Sequence, residues 1–538
     1  INIMTMLECK EAGINAKKQV LMINIDFLTL KAFFLENIDF IIGARLQKIQ
    51  QPTRRDFVFS LRNNTESRKL YININPQIYH ICFMSAENEA RRNILIPKQP
   101  PMFCMLLRKY LEGCRISDAL VIENERIIEF HFEIMDEFSQ KRSLCLCVEL
   151  MGKHSNMILY DRENSVIIGC AHNIGAEKSR YRELQGGLKY IYPPKTLAPS
   201  TRGSEGTCFL SKELNKQFEN LSQEQINNYL NAEEFTPAIL DKRYTLFGEL
   251  LPNSVAQDSV NSMLDNYYSK CQEEMNVNHE KVRLNAVVNP KLKKVTNSIN
   301  KISSLLKKRD NTEKYKLYGE LLTANLYLKC DYSKQIELFD YVNNQNITID
   351  LDETKSLKEN AQRYFKLYVK AKTTKEKSTE MLESLNIEKE YLENLIYSID
   401  SAKTIKDFEE IKLELKLDDV KPKKQEKSEL LRLEINGFDV YVGRNNRQND
   451  FIVSKLAKDE DYWFHTRLCA GSHVLLKVKD KEPDEATMFE CCKLAREYSS
   501  ATQPSKVGVI YTRAKNLRKP PAAPLGYVTY KNEKEVLV

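Results

Sequence analysis

Two stretches of this chain repeat apolar residues at alternating steps of three and four positions, and this spacing limits the fold more than any other feature of the sequence. It is the seam of a coiled coil, in which apolar side chains of two helices interlock. The sequence therefore predicts an antiparallel hairpin of two long helices across 275–420, with a small insert at about 315–370. A parallel homodimer is the alternative. The predicted seam consists of Leu292, Val295, Ile299, Ile302 and Leu306, followed about 75 residues later by Met381, Leu385, Leu392, Leu395, Ile399 and Ala402.

Further domains are predicted before this hairpin, because a chain of 538 residues is too long for a single core. Runs of alternating apolar residues, such as Phe57–Leu61 and Leu70–Ile74, indicate strands. An α+β domain with a meandering antiparallel sheet is therefore predicted at 22–198, preceded by an N-terminal extension at 1–21. A module of short helices is predicted at 208–272.

The segment after the hairpin begins with the charged, proline-bearing linker Lys421–Lys427. An α/β domain is predicted to follow it at 428–538. The whole chain is thus predicted to be a multidomain α+β protein.

Cysteine usage and hydropathy narrow the class of protein. The 13 cysteines include no CxxC pair that could seed a zinc or redox site. No run approaches 18 consecutive apolar residues, and the first 21 residues lack the apolar region of a signal peptide. We therefore expect a cytoplasmic protein with reduced cysteines and no membrane partner.

Residue constellations suited to catalysis are missing from the sequence. There is no GxxxxGK[ST] phosphate loop and no GxSxG nucleophile elbow. His465 and His473 have no cysteine or carboxylate at metal-ligand spacing, so each is expected either to contact a base or phosphate or to pack within a strand. The sequence predicts a binding protein, not an enzyme, with no cofactor and no metal.

The C-terminal segment has the residue types of a surface that binds polyanions. VGRNNRQND, DYWFHTR and GSHVLLK mix Arg, Asn, Gln and His within residues 442–477. Arg donates bidentate hydrogen bonds to phosphates, whereas Asn and Gln form hydrogen bonds with sugars and base edges. From Gly443 onward, 17 Lys and Arg oppose 12 Asp and Glu, a net charge of +5 out of +7 for the whole chain. A polar hairpin is the alternative, but we expect RNA contacts from Arg444, Asn445, Asn446, Arg447, His465, Arg467, His473, Arg513 and Lys515.

These C-terminal motifs resemble the RNA-binding domain, NFACT-R, of the NFACT family, which includes the bacterial RqcH proteins, eukaryotic NEMF and older "fibronectin-binding protein A-like" members. PPMFCMLLRK at 100–109, ELMGKHSN at 149–156 and LYGELLTANL at 317–326 match in the family order, so the resemblance spans about 22–538. It implies an N-terminal domain similar to MutM-type DNA glycosylases and a helix-hairpin-helix module at 208–272. Glycosylase chemistry is not expected, because the N-terminal proline and the zinc finger of those enzymes are missing.

The resemblance also implies a function in ribosome-associated quality control. Such a factor binds the large ribosomal subunit (23S rRNA and the stalk-base protein) still carrying peptidyl-tRNA. It recruits alanyl-tRNA for alanine tailing without mRNA, which marks the nascent chain for degradation. A monomer on the ribosome and a small S4-domain partner are implied too. A surface fibronectin-binding adhesin and a generic RNA-binding scaffold are the alternatives.

Within the N-terminal domain the resemblance points to Glu125 and Arg126. The family has Asp-Arg at this site, and the pair is implied to read the tRNA anticodon arm; a carboxylate can accept from base amino groups while the Arg donates. Glu125 is one methylene longer than the family residue. Lys153 and His154 in a tight turn, and Arg180 and Arg182 around a tyrosine, complete the predicted tRNA-binding set. A solvated turn is the alternative for the pair.

Overall fold

The computed structural model describes residues 23–194, 210–417 and 430–538, apart from 65, 93, 136–139, 178, 180, 310, 329–331, 342, 480 and 502–505, and it leaves out the side chains of 308 and 309. The chain divides into two compact units, 1–275 and 276–538. The predicted extension 1–21, the linker 421–427 and Arg180 lie outside the described residues. The mixed α+β, multidomain class is confirmed, whereas the finer boundaries stay predictions.

Two antiparallel sheets form most of the first unit. Helix α1 precedes a four-stranded meander, β1 to β4, and helices α2 and α3 lead to a five-stranded meander, β5 to β9. The bounds are α1 Phe27–Ile41, β1 Arg45–Gln50, β2 Asp56–Asn63, β3 Glu66–Asn73, β4 His80–Met84, α2 Ala86–Arg92, α3 Met102–Leu111, β5 Ile116–Val121, β6 Ile127–Met135, β7 Lys141–Glu149, β8 Asn156–Asp161 and β9 Ile167–Cys170.

The second meander is buried on both faces. Along β6, Ile128, Phe130 and Phe132 face the main core, since alternate residues of a strand point the same way. Ile127 and Cys145 belong instead to a smaller core on the other face. This double burial explains why the strands read as nearly continuous apolar runs.

Residues 210–275 contain more strand than the sequence predicts. Two short helices, α4 (Lys212–Phe218) and α5 (Gln223–Leu230), precede a three-stranded sheet of β10 (Ala238–Leu240), β11 (Arg243–Thr245) and β12 (Val255–Ala256). Strands of two or three residues are too short to show a period in the sequence, so the all-helical expectation was wrong here. The helix-hairpin-helix and MutM-like descriptions stay predictions.

Helix α6 (Val260–Arg309) and helix α8 (Leu357–Ser401) provide the two predicted long helices. They run antiparallel, because the first turns of α8 pack against the insert that follows the end of α6, whereas Asp400 near the end of α8 accepts hydrogen bonds from Lys281 (2.5 Å) and Asn285 (2.9 Å) near the middle of α6. The seam also differs from the predicted one. It begins at Val277, and it leaves out Ile302, Leu306 and Met381, the last of which is 55% exposed.

The predicted insert between the long helices has its own small core. Helix α7 (Thr312–Ala324) and the hairpin of β13 (Gln335–Asp340) and β14 (Gln345–Asp350) pack against the first turns of α8. The core residues are Leu321, Leu322, Ile336, Leu338, Ile349, Leu351, Leu357, Ala361 and Tyr364.

The C-terminal part of the second unit follows helix α9 (Ile405–Leu415) and is an antiparallel six-stranded sheet in the order β15-β16-β18-β17-β19-β20. Helix α11 packs on one face, and the other face carries Trp463. The bounds are β15 Leu431–Ile435, β16 Phe438–Val442, α10 Asn446–Phe451, β17 Tyr462–Thr466, β18 Val474–Leu476, α11 Glu485–Glu497, β19 Gly508–Arg513 and β20 Lys534–Leu537. Among the described helices, none is both long and apolar enough to cross a membrane.

Candidate nucleic-acid interface

Glu125 and Arg126 lie in the tight turn that joins β5 to β6. The backbone N–H of Glu125 donates to Ile122 O at 3.1 Å, and Asn124 adopts the left-handed conformation with φ of 60°. Asparagine tolerates this conformation better than most residues do, so the turn is well matched to its sequence. The carbonyl of Arg126 accepts from Leu150 N at 2.8 Å, which ties the turn to the end of β7.

Tyr79 holds the guanidinium of Arg126. Arg126 Nη1 donates to the Tyr79 hydroxyl at 2.9 Å, and Arg126 Cζ lies 5.7 Å from the ring centroid. Burial raises the pKa of Tyr79, so its hydroxyl stays neutral and can accept this bond. An arginine has five N–H donors, and one is used here, so others can reach a base edge or a phosphate. Sequence reasoning missed Tyr79, which belongs to no motif.

The turn that carries Lys153 and His154 passes beside the same tyrosine. They belong to the 3-10 turn Gly152–His154 and are both exposed. Gly152 has φ of 61°, and a Cβ at this position would lie 3.7 Å from Tyr79 Cε1, so the turn passes close to the ring. The structure therefore brings Arg126 and the turn that carries Lys153 and His154, 27 residues later in the sequence, to one buried tyrosine.

Arg182 does not join this group. Its two terminal nitrogens donate to the two carboxylate oxygens of Glu149 at 2.7 and 2.5 Å, and one of them also donates to Ile191 O at 2.9 Å. Both side chains of the pair are buried. Breaking a buried pair leaves an uncompensated charge, so Arg182 supports the fold here, and its contact with RNA stays a prediction. The partner lies 33 residues away, which no local pattern reveals.

In the C-terminal sheet, the amide side chains predicted to contact RNA are turned inward. Asn446 is only 1% exposed, and its Nδ2 donates to Glu414 Oε1 at 3.0 Å. Asn445 is also buried; it caps α10 by accepting from Gln448 N at 2.9 Å and donates to Glu410 at 2.5 Å. These two residues hold helix α9 against the sheet, so their amides face Glu410 and Glu414 and not the solvent, and their contact with RNA stays a prediction.

His465 and His473 are packed in the sheet with Trp463. The His465 ring stacks on Trp463 with centroids 5.7 Å apart, and the His473 ring meets Trp463 edge-on at 5.2 Å. Burial lowers the pKa of His465, and it lowers that of His473 well below the usual value, so both imidazoles are neutral at physiological pH. Of the two expectations for these residues, the structure favours the packed strand histidine.

The arginines and lysines of this sheet remain near the surface. Arg444 is exposed and Arg447 half-buried. Arg467 pairs with Glu535, while Arg513 pairs with Glu482 at 2.8 Å and Lys515 with Glu460 at 3.0 Å. Surface ion pairs contribute about 0–1 kcal/mol, so a phosphate can displace the carboxylates.

One group of possible metal ligands occurs among the described residues. Donor atoms of Glu129, His131 and Cys145 all lie within 4.8 Å of one another. Glu129 Oε1 already accepts from Tyr160 (3.0 Å) and Tyr192 (2.6 Å), and Glu129 Oε2 lies 3.2 Å from His131 Nε2. Burial raises the pKa of the Cys145 thiol, which disfavours the thiolate that a metal needs. The Glu129 carboxylate is therefore already engaged in hydrogen bonds, whereas His131 Nδ1 is buried without a hydrogen-bond partner among the described residues.

Comparison with known proteins covers nearly the whole chain. Residues 26–224 and 209–430 match the family described as NFACT N-terminal and middle domains, and 431–532 match the NFACT protein RNA binding domain. The chain is 32% identical to the "Rqc2 homolog RqcH" of Bacillus subtilis, over 93% of this chain and 95% of that protein. It is 30% identical to the protein of the same name from Streptococcus suis, over 92% of this chain and 94% of that protein. The solved N-terminal part of a fibronectin/fibrinogen-binding protein from S. suis is 27% identical over 46% of this chain and 100% of that one, with a TM-score of 0.39.

Proposed function

The chain belongs to the NFACT family, and from that premise we propose that it is a ribosome-associated quality-control factor of the cytoplasm. It binds the large ribosomal subunit that still carries peptidyl-tRNA after a stalled ribosome has split. It recruits alanyl-tRNA, so that alanines are added to the nascent chain without mRNA and the product is marked for degradation. Relatives named "Rqc2 homolog RqcH" that match over almost their full length support this proposal.

The observation that carries the tRNA part of the proposal is the Arg126 guanidinium held at 2.9 Å against Tyr79, beside the exposed Lys153 and His154. A fixed arginine suits base-edge recognition, because little side-chain freedom is lost on binding. Lys153 and His154 then supply phosphate contacts, which position the RNA without reading its sequence.

The protein acts as an adaptor, and the ribosome supplies the chemistry of peptide-bond formation. Helix α6 has 50 residues, which at about 1.5 Å per residue makes an element of about 75 Å. With α8 it forms an arm that carries the insert toward the stalk base. The cations Arg444, Arg447, Arg467, Arg513 and Lys515 bind 23S rRNA, and a small S4-domain protein shares the subunit.

The test is affinity purification of the full chain from cells, followed by sequencing of the bound RNA. We expect 23S rRNA together with an excess of alanine tRNA over the cellular tRNA pool. Arg126→Ala should lose the tRNA excess and keep the rRNA, whereas Arg62→Ala, an exposed arginine at the far end of β2, should change neither. Bound rRNA with no tRNA enrichment would make the chain a generic RNA-binding scaffold.

A further inference from the structure

Two neighbouring arginines in the β1–β2 loop, Arg54 and Arg55, are exposed. Among the described residues, neither guanidinium has a carboxylate within ion-pair distance or a hydrogen-bond acceptor, although most other arginines of this unit have one. Two exposed cations without a counter-charge give this loop a positive local potential. Such an arrangement fits a surface whose counter-charge arrives with a ligand.

The loop that carries these arginines is fixed from behind. Thr53 Oγ1 donates to Asp56 Oδ2 at 2.5 Å and accepts from Arg55 N at 3.1 Å. Asp56 is buried and accepts from Tyr71 at 2.9 Å and from Asn73 at 2.8 Å. The backbone is thereby held in one shape, so the two side chains start from a defined position.

His172 is held against the segment that follows the Gly152–His154 turn. Its backbone is clamped by the buried Asn156, whose Oδ1 accepts from His172 N at 3.0 Å and whose Nδ2 donates to His172 O at 2.8 Å. The ring Nε2 is shielded from solvent and has no hydrogen-bond partner among the described residues. Burial, followed by the charges of Arg55 and Arg54, lowers the pKa of His172.

Short backbone links connect this cluster to the Tyr79–Arg126 site. Arg55 O accepts from Ile74 N at 2.8 Å, and Pro76 O, two residues further along, lies 3.9 Å from the Cβ position of Gly152. Asn156 follows the Gly152–His154 turn in the chain after one residue. Segments 74–79 and 152–156 therefore border both the cluster of Arg54, Arg55 and His172 and the Tyr79–Arg126 site.

We propose that Arg54, Arg55 and His172 form a phosphate-binding extension of the Tyr79–Arg126 site, which grips the backbone of the tRNA whose bases the site reads. The inference rests on the proposed function and adds a second part to it. Arg126 and Glu125 discriminate, whereas the extension positions the RNA without regard to sequence. The His172 Nε2 position gains the partner that it lacks in the free chain.

The experiment measures binding of the full chain to a fluorescent alanine tRNA transcript by anisotropy across a range of salt concentrations. Arg54→Gln/Arg55→Gln should weaken binding about tenfold or more at low salt and reduce the slope of log K against log salt by roughly 1.4–1.8, the value for two phosphate contacts. His172→Ala should weaken binding less and leave the slope unchanged, because it removes a neutral donor. Arg62→Gln, at the other end of β2, is the matched control and should bind as wild type.

The outcomes separate the two proposals. A wild-type slope for the Arg54→Gln/Arg55→Gln variant, with Arg126→Ala still impaired, would overturn the extension alone. If Arg126→Ala also binds tRNA as wild type, the proposed tRNA function fails with it. Both arginines are exposed, so an unchanged thermal melt is expected and excludes misfolding as the cause of a loss.

Discussion

Glu414 of helix α9 accepts a hydrogen bond from the side-chain amide of Asn446 at 3.0 Å. Burial raises the pKa of the Glu414 carboxyl, and Asn446 itself is almost inaccessible. The amide therefore solvates a carboxylate inside the protein, in the way that it would solvate a phosphate outside. Residue type alone cannot separate these two roles.

The first prediction concerns this contact. Asn446→Ala should lower the free energy of unfolding of the C-terminal sheet by roughly 1–3 kcal/mol, because Glu414 stays buried and loses a donor. Urea unfolding followed by the fluorescence of Trp463, the single tryptophan, measures it. Glu409→Ala, an exposed residue on the same helix, is the control and should change stability by less than about 0.5 kcal/mol. Equal effects of the two changes would contradict the assignment.

Acidification should destabilise the same sheet through its histidines. The folded-state pKa values of His465 and His473 lie below the unfolded value of about 6.5, so their contribution is complete above that pH and is lost as the pH falls below it. Each buried imidazole adds up to about 1.4 kcal/mol per pH unit to the slope of the free energy of unfolding against pH. His473→Gln should remove one such slope below pH about 6.5 in unfolding followed by Trp463, whatever it does to absolute stability. An unchanged slope would place the proton uptake elsewhere.

Loss of Arg126 should weaken tRNA binding by on the order of 1–3 kcal/mol and abolish alanine tailing, because a base-edge or phosphate donor is removed. Tyr79→Phe removes only the hydroxyl that holds the guanidinium, so we expect a smaller loss of affinity. Binding to the large subunit should persist in both variants. Wild-type tailing by Arg126→Ala would leave the pair as an ordinary solvated turn.

Glu125 tests whether charge or reach matters at this turn. Glu125→Asp restores the family residue and should keep or slightly improve tRNA selection. Glu125→Gln keeps the length and removes the charge, so it should impair selection if a carboxylate accepts from base amino groups. Competition between alanine tRNA and a bulk tRNA pool gives the readout. Equal selection by all three proteins would remove Glu125 from the site.

In the seam of the long hairpin, the loss of stability on substitution by alanine should increase with the burial of the side chain. Ile399 is fully buried, so Ile399→Ala should cost about 2–5 kcal/mol, whereas Ile299→Ala, at a half-buried position, should cost less. Met381→Ala, outside the seam, should be close to neutral. Thermal melting followed by circular dichroism ranks the three. A large effect of Met381→Ala would mean that the seam extends to the register predicted from sequence.

The long hairpin could be predicted because a heptad repeat is a local pattern repeated many times. The Glu125–Arg126 site could be located only through its resemblance to a family, since a short charged turn has no period. Tyr79, Arg54 and His172 could not be found, because their positions near the site are set only after two sheets have formed. For Arg182 and Asn446, sequence gave the chemistry of the side chain and not its partner, which lies 33 and 32 residues away.

The buried bond between Arg182 and Glu149 has a consequence for genetics. Glu149 pairs with Ile127, and Leu150 bonds to the carbonyl of Arg126, so the end of β7 supports the turn that carries Arg126. A screen for loss of tailing should therefore recover alleles at codon 182 alongside alleles at codon 126. Both classes of alleles would lose tailing. Only the alleles at codon 182 should also lower the amount of protein in the cell, because they remove a support of the fold.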